Sequence, residues 1–372
     1  MTLLLASGAW NTVWSVILAI VILLVMITVH EFGHYISGRA LGFKIEEFAI
    51  GFGPKLLRIK GRKHGTYFSV RAIPLGGYCA FEGEDEEDGD PAAFNNQPPW
   101  KRIIVLVSGA LMNYLTALVF AAICMACFGL TAYKVNSVSV EEGQTCQYCL
   151  SDGDVIVAAE GRRIYLSTDL IAALKGKSEG DIALITVIDE DGNTVERQVK
   201  MRVDCNFENY SDTSRIWRAL GAGTYAAEDG NLYWDLSAEQ CPLGFWETLG
   251  CSFGYTWRMA GTIFRVLGEL LTGSLGLDTI GGPITTIKLT SEMAAQGAQS
   301  FLTIAAYIGV NLAVFNLLPI PALDGSKVIF CLIEWIFGKP VPRKVEAAIH
   351  FAGLILILGF AVMVDLLQFV RC

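Results

Sequence analysis

Residues 13–29 read VWSVILAIVILLVMITV, and the next five are His30-Glu31-Phe32-Gly33-His34. Residues 1–30 contain no Lys, Arg, Asp or Glu. A helix needs about 20 apolar residues to cross the hydrocarbon core, so this stretch predicts a membrane span. The five residues that follow decide what kind of membrane protein it is. Helical residues four apart share a face, so His30 and His34 can offer two imidazole nitrogens to one metal ion. Glu31 then stands beside them as a general base for an attacking water. At 1.5 Å per residue the apolar stretch rises about 26 Å, which places His30 near the far side of the bilayer. The alternative is a pair of histidines capping a membrane helix, with Glu31 snorkelling to the interface. Ionisable groups inside a span are expensive and mark function, which favours the metal.

Composition agrees with a membrane protein. Of 372 residues, 53% are hydrophobic and 17% charged, against about 25% charged in soluble domains. The net charge of −9 argues against a nucleic-acid partner, which would meet a basic face. Ten cysteines are too dilute for a small disulfide scaffold. Three more uncharged stretches occur at 103–132, 293–323 and 347–364, giving four expected spans. The first lacks the basic leader and clear cleavage site of a signal peptide and is expected to be retained. Basic residues cluster after span one, from Arg39 to Arg102, and again between spans three and four at Lys327, Lys339, Arg343 and Lys344. Both connections are therefore expected in the cytosol, with both termini and residues 133–240 outside.

Residues 243–272 are also apolar. Trp246, Leu249, Phe253, Trp257 and Phe264 recur at spacings of three and four, with Arg258 and Arg265 among the charged residues of another face. Arg258 at mid-bilayer would cost roughly 2.5–3.5 kcal/mol, so a helix lying along the membrane surface is expected. A fifth span there would also turn span three over.

A catalytic zinc takes three protein ligands and keeps one position open. The best third candidate is Asp324, in Asn316-Leu-Leu-Pro-Ile-Pro-Ala-Leu-Asp324-Gly325. With four spans, it closes span three in the same leaflet as His30. Pro319 and Pro321 break the helix before it, and irregular backbone at that depth is tolerated where it lines a wet cavity. Asp324 could otherwise be a helix-end carboxylate near Lys327.

HEFGH in a first span and NLLPIPALDG in a third resemble the site-2 protease family of intramembrane zinc metalloproteases, closest to its bacterial RseP-type branch (RIP metalloproteases). The resemblance covers nearly the whole chain. It implies one zinc per chain held by His30, His34 and Asp324, with Glu31 as catalytic base. Gly51-Phe-Gly-Pro-Lys and Ile73-Pro-Leu-Gly-Gly-Tyr78 are similar to this branch as well. The latter implies a membrane-associated hairpin that pairs with substrate through Pro74, Gly76 and Gly77. Ser108-Gly-Ala-Leu-Met-Asn113 resembles the family's GxxxN element, and Asn316 its second asparagine. Both asparagines are thereby candidates to bind substrate or steady the site. Read without the family, Pro74, Gly76 and Gly77 make a turn, while Gly109 and Asn113 pack one span against another.

Outside the membrane, 155–159, 182–188 and 195–201 read as strands, with a turn at Glu160-Gly161 and a short helix at 168–174 that Ser167 caps. Ser151-Asp-Gly-Asp-Val-Ile156 with Glu160-Gly-Arg-Arg-Ile164 resembles the PDZ pattern, Glu160 standing where asparagine is usual. The resemblance implies one PDZ-like domain that filters substrates by size. Cys146, Cys149, Cys205 and Cys241 fall here, with disulfides and free thiols both open. The acidic run 82–90 reads as a solvated cytosolic loop.

The expected architecture is a polytopic α-helical membrane protein with four transmembrane helices and an inserted extracytoplasmic PDZ-like α/β domain. Its expected parts are an N-terminal membrane core (1–132), the PDZ-like domain (133–241), a surface helix and connector (242–292) and a C-terminal membrane core (293–372). The expected activity is zinc-dependent cleavage of transmembrane segments of single-pass proteins in the bacterial cytoplasmic membrane. By resemblance, the substrates are anti-sigma factors or remnant signal peptides, some already cut by an upstream site-1-type protease. The competing readings are a catalytically silent PDZ scaffold or metal-binding chaperone, and a metal transporter. The intact Glu31 weighs against a silent site, and no further file of polar residues crosses the spans.

Overall fold

The computed structural model describes residues 2–63, 65–84, 89–139, 148–206, 213–227, 231–273 and 281–371. His64, residues 85–88 of the acidic run and Cys146 lie outside them. The chain opens with helix α1 (Thr2–Ala40), the strand pair β1 (Ile45–Lys60) and β2 (Tyr67–Phe81), and helix α2 (Pro99–Phe128). There follow β3 (Leu130–Val135), β4 (Val155–Ala159), β5 (Arg162–Arg163), α3 (Ser167–Leu174), β6 (Ile182–Ile188), β7 (Thr194–Lys200) and α4 (Thr213–Leu220). Next come β8 (Thr224–Ala226), β9 (Leu232–Trp234), β10 (Leu236–Cys241) and α5 (Phe245–Leu271). Helices α6 (Pro283–Ala295), α7 (Ala298–Leu317), α8 (Asp324–Phe337) and α9 (Arg343–Arg371) complete it.

Among the described residues, four helices are long and apolar enough to span a membrane: Trp14–Ala40, Pro99–Phe128, Ala298–Leu317 and Arg343–Gln368. They fit a polytopic membrane protein. Two of them stop before the uncharged stretches that foretold them end. The stretch 103–132 stops being helical at Phe128, because Gly129 turns left-handed (φ 78°) and its N–H bonds back to the Met125 carbonyl at 2.9 Å. Leu130 then begins a strand. The stretch 293–323 is cut at Gly297 (φ 125°), which an L side chain rarely tolerates, and again before Pro319.

The chain folds as two compact units, Met1–Ala121 with Gly276–Cys372, and Ala122–Leu275. In the first, Ile22 and Met26 of α1 pack on Ile304, Ala305 and Ile308 of α7, with Phe120 of α2 alongside. Helices α1 and α2 come closer still below this point. A Cβ on Gly33 would lie 2.4 Å from the Ser108 carbonyl oxygen, so the small residue lets the backbones meet. Ser37 and Ser108 bridge the same seam at 2.7 Å. The base of the β1–β2 hairpin is pinned by Phe43, Ile45, Phe81 and Phe94 against Val105 and Leu106 of α2 and Cys331 of α8. Across the hairpin, Glu47 accepts hydrogen bonds from Ser69 at 2.6 Å and Arg71 at 3.2 Å. Burial alone would raise the Glu47 pKa, but these bonds and one from Tyr78 hold it below its ordinary value.

The second unit is built on a six-stranded sheet of order β10-β3-β4-β6-β7, with β5 paired to β4 and every pairing antiparallel. Strand β6 alternates buried and exposed residues as a half-covered strand should. Its inward residues Ala183, Ile185 and Val187 join Ile156, Leu170, Ile171 and Trp217 in one core under α3 and α4. The cap of α3 corrects the expectation for Ser167, which is the first helical residue. Asp169 does the capping instead, its carboxylate accepting the N–H groups of Tyr165 at 3.0 Å and Leu166 at 3.1 Å. Cys205 and Cys241 are buried thiols. Helix α5 buries Thr248, Cys251, Ser252, Thr256, Met259 and Ile263 and exposes Phe245, Trp246, Leu249, Phe253, Trp257 and Phe264.

Candidate active site

His30 and His34 lie four residues apart in the last turns of α1, and each is only 7% exposed. His34 donates its Nδ1–H to the Val105 carbonyl of α2 at 2.8 Å. That bond fixes the proton on Nδ1 and leaves the Nε2 lone pair free, as a metal-binding imidazole requires. A Cβ on Gly109 would stand 2.5 Å from His34 Nε2 and 2.8 Å from His30 Cε1. Glycine is therefore what gives the two rings room against α2.

Asp324 arrives by a different route. Helix α7 ends at Leu317, and Pro319 and Pro321 hold the following backbone in tight turns, with Ile320 N–H bonded to the Leu318 carbonyl at 2.7 Å. Ala322 sits in the left-handed region at φ 77°, a conformation that costs a non-glycine residue roughly 1–2 kcal/mol. Its N–H donates to His350 Nδ1 of α9 at 3.0 Å. Asp324 then opens α8, with its Oδ2 2.9 Å from His30 Nε2 and 3.3 Å from His34 Nε2. The two Nε2 atoms are 3.1 Å apart.

Three electron-pair donors thus converge on one point. A tetrahedral ion with bonds of about 2.0–2.1 Å needs its ligand atoms about 3.3 Å from one another. The observed separations and the donor set of two imidazoles and one carboxylate suit zinc with a position left for substrate. Lys327 pairs with Glu84 at 2.6 Å, and the Asp324 Oδ2 lies within 3.3 Å of both imidazoles.

Glu31 faces a cavity of about 680 Å³ whose wall includes His34, Asp324, Tyr78, Cys79 and Lys327. Its carboxylate accepts the backbone N–H of Cys79 on β2. Burial pushes the Cys79 thiol above its ordinary pKa, and the neighbouring Glu31 and Glu84 carboxylates push the same way. Gly77 lies against the base: a Cβ there would be 3.6 Å from Glu31 Cγ and 2.8 Å from the Ala49 carbonyl oxygen. Gly76 is left-handed (φ 125°) under the Phe52 ring, and Pro74 is exposed farther along β2. Asn113 and Asn316 each place an amide 3.4 Å from His30 Nδ1.

The structure thus gathers His30, His34, Asp324, Glu31, Asn113, Asn316 and Gly77 in one place. Val105 and His350 escaped the sequence reading. A carbonyl has no sequence signature, and His350 sits 28 positions from the turn it supports.

An ion site of this kind beside a carboxylate, in a chain with four spanning helices, defines a metal-dependent membrane hydrolase. The model of peptidase family M50 matches residues 18–360. Three bacterial relatives, each named "Putative zinc metalloprotease", align along almost their full length. The protein from Clostridium perfringens is 32% identical over 94% of this chain and 97% of its own. The one from a Nostoc species is 29% identical over 94% of each chain. That from Clostridium acetobutylicum is 28% identical over 95% of this chain and 96% of its own. The chain belongs to peptidase family M50, the site-2 protease family, and is a zinc metalloendopeptidase.

Proposed function

We propose that this enzyme cleaves transmembrane segments of single-pass proteins, with His30, His34 and Asp324 as the zinc ligands and Glu31 as the general base. The observation that carries this reading is the meeting of three ligand atoms beside Glu31 in a cavity walled by spanning helices and β2. Bound zinc supplies polarisation of the scissile carbonyl and acidifies the attacking water. Glu31 takes the proton from that water and returns it to the leaving amine. The Cys79 N–H aims the Glu31 carboxylate. Backbone freed by Pro319 and Pro321, together with Asn316 and the glycine-bearing edge of β2 at Gly76 and Gly77, offers polar partners for an extended peptide. An intact helix keeps its carbonyls bonded, so substrates carry a local helix breaker.

The basic connections support a cytosolic site, with both termini and the second unit extracytoplasmic in a bacterial inner membrane. The antiparallel sheet with α3 and α4 suits a PDZ-like module. Glu160, left-handed at φ 50° before Gly161, occupies a turn where asparagine is at home. The outward aromatic face of α5 suits the lipid interface. Family membership favours anti-sigma factors or remnant signal peptides as substrates in regulated intramembrane proteolysis, with a separate protease cutting first.

The test is cleavage of a single-pass reporter in membranes by wild type and Glu31→Gln at matched expression. Glu31→Gln is expected to keep its zinc and lose 10²–10⁴-fold in rate, and a zinc chelator is expected to abolish wild-type cleavage. Equal cleavage by both proteins would overturn the assignment of Glu31. Absence of cleavage by zinc-loaded wild type across varied reporters would favour the scaffold.

A further inference from the structure

The two histidines differ in how their second ring nitrogen is held. His34 gives its Nδ1–H to a backbone carbonyl. His30 turns Nε2 toward Asp324 and His34, so a neutral His30 that offers the Nε2 lone pair carries its proton on Nδ1 and needs an acceptor there. Among the described residues, the polar groups at that nitrogen are the amides of Asn113 and Asn316, each 3.4 Å away.

These amides are not equivalent. Asn113 is 0% exposed, one helical turn beyond Gly109 on α2, and its Oδ1 is buried without a hydrogen-bond partner among the described residues. Asn316 is only half-buried. A half-turn of an asparagine side-chain amide exchanges its oxygen and nitrogen, and the hydrogen-bond network decides which one faces a neighbour. For Asn113, the orientation with Nδ2 at His30 leaves the buried Oδ1 unmatched, and a half-turn gives that oxygen the His30 Nδ1–H.

We propose that Asn113 is a positioning residue for the metal site: its Oδ1 accepts the Nδ1–H of His30, fixing the tautomer and ring orientation that present Nε2 to zinc. This rests on His30 being a zinc ligand, and it assigns Asn113 to the metal site and not to substrate, since a fully enclosed amide cannot touch a peptide in the cavity. Asn316 stays available to substrate.

The test measures zinc affinity by chelator competition on the full chain in detergent micelles, alongside reporter cleavage. Asn113→Leu is expected to bind zinc 10–100-fold more weakly, the usual loss when a partner behind a ligand is removed. Asn113→Asp keeps an oxygen acceptor and is expected to restore affinity to within about threefold of wild type, a rescue that a donor role for the Asn113 amide would not give. Asn316→Leu is expected to hold zinc normally and to lose cleavage. If Asn113→Leu does not fold, Asn113→Ser replaces it, because its shorter side chain cannot reach Nδ1, and the same loss is expected. Wild-type zinc affinity in Asn113→Leu or Asn113→Ser, or no rescue by Asn113→Asp, would overturn the proposal. His30→Ala separates the two levels: if it retains zinc, the ligand assignment itself fails, whereas loss there beside wild-type affinity in Asn113→Leu sinks only the role of Asn113.

Discussion

The two arms of the proposed metal site, His30 with His34 and Asp324, reach the same point by opposite means. The histidine arm is an unbroken helix, locked to α2 by Gly33 against Ser108, by Gly109 beneath the two rings and by the Val105 carbonyl. The aspartate arm is a broken chain, with two prolines, a left-handed Ala322, short turn hydrogen bonds and a bond from the Ala322 N–H to His350 before α8 begins. One arm fixes its ligands by close packing, which tolerates no added atoms. The other fixes its ligand through turn geometry and a few polar bonds, which can be weakened one at a time. The irregular arm also leaves backbone groups for a substrate, which a continuous helix would have consumed internally.

This contrast can be broken most directly at Gly109. Gly109→Ala puts a methyl group 2.5 Å from His34 Nε2, and the purified protein is expected to carry essentially no zinc by elemental analysis and to cleave no reporter. Full zinc occupancy in that variant would show that the histidine arm yields. Asp324→Asn comes next: it keeps the shape but removes the ligand charge, so both zinc affinity and cleavage should fall, by at least tenfold in a chelator competition. His350→Leu leaves the half-buried Ala322 N–H without its acceptor, a loss near the low end of the roughly 1–3 kcal/mol of a fully buried donor. The expected result is zinc affinity lowered about fivefold or more, with the histidine arm unaffected. The smallest effect is expected from Ala322→Gly, where relief of the left-handed strain and the added chain freedom nearly cancel. Its zinc affinity should stay within about threefold of wild type, whereas a β-branched Ala322→Val should lose more. If Ala322→Gly behaved like His350→Leu, the turn would depend on the alanine methyl and the contrast would need redrawing.

The two arms were unequally legible in the sequence. The histidine spacing converts directly into a shared helical face, so His30, His34 and Glu31 could be read before any fold was known. Asp324 needed a topology argument to bring residues 294 positions apart to one leaflet. The supports of that site were hidden, because Val105 acts through its carbonyl and His350 through the backbone of a turn distant in sequence. In the second unit, β4 and β6 matched the expected strands because a short run rich in apolar and β-branched residues between turns is a local signal. The pair β8–β9 went unnoticed, since strands of three residues carry too little periodicity to show. The breaks at Gly129 and Gly297 were also missed, because hydropathy counts a glycine in an apolar run as part of the run.

Helix α5 has its polarity reversed relative to an ordinary surface helix, with hydroxyl-bearing Thr248, Ser252 and Thr256 inside and Trp246, Phe253 and Trp257 outside. A laboratory that trimmed away the spanning helices to obtain a convenient soluble fragment of residues 122–275 would still carry that greasy stripe into the test tube. Such a fragment would demand detergent, or polar replacements along the stripe, before it behaved as a monodisperse sample.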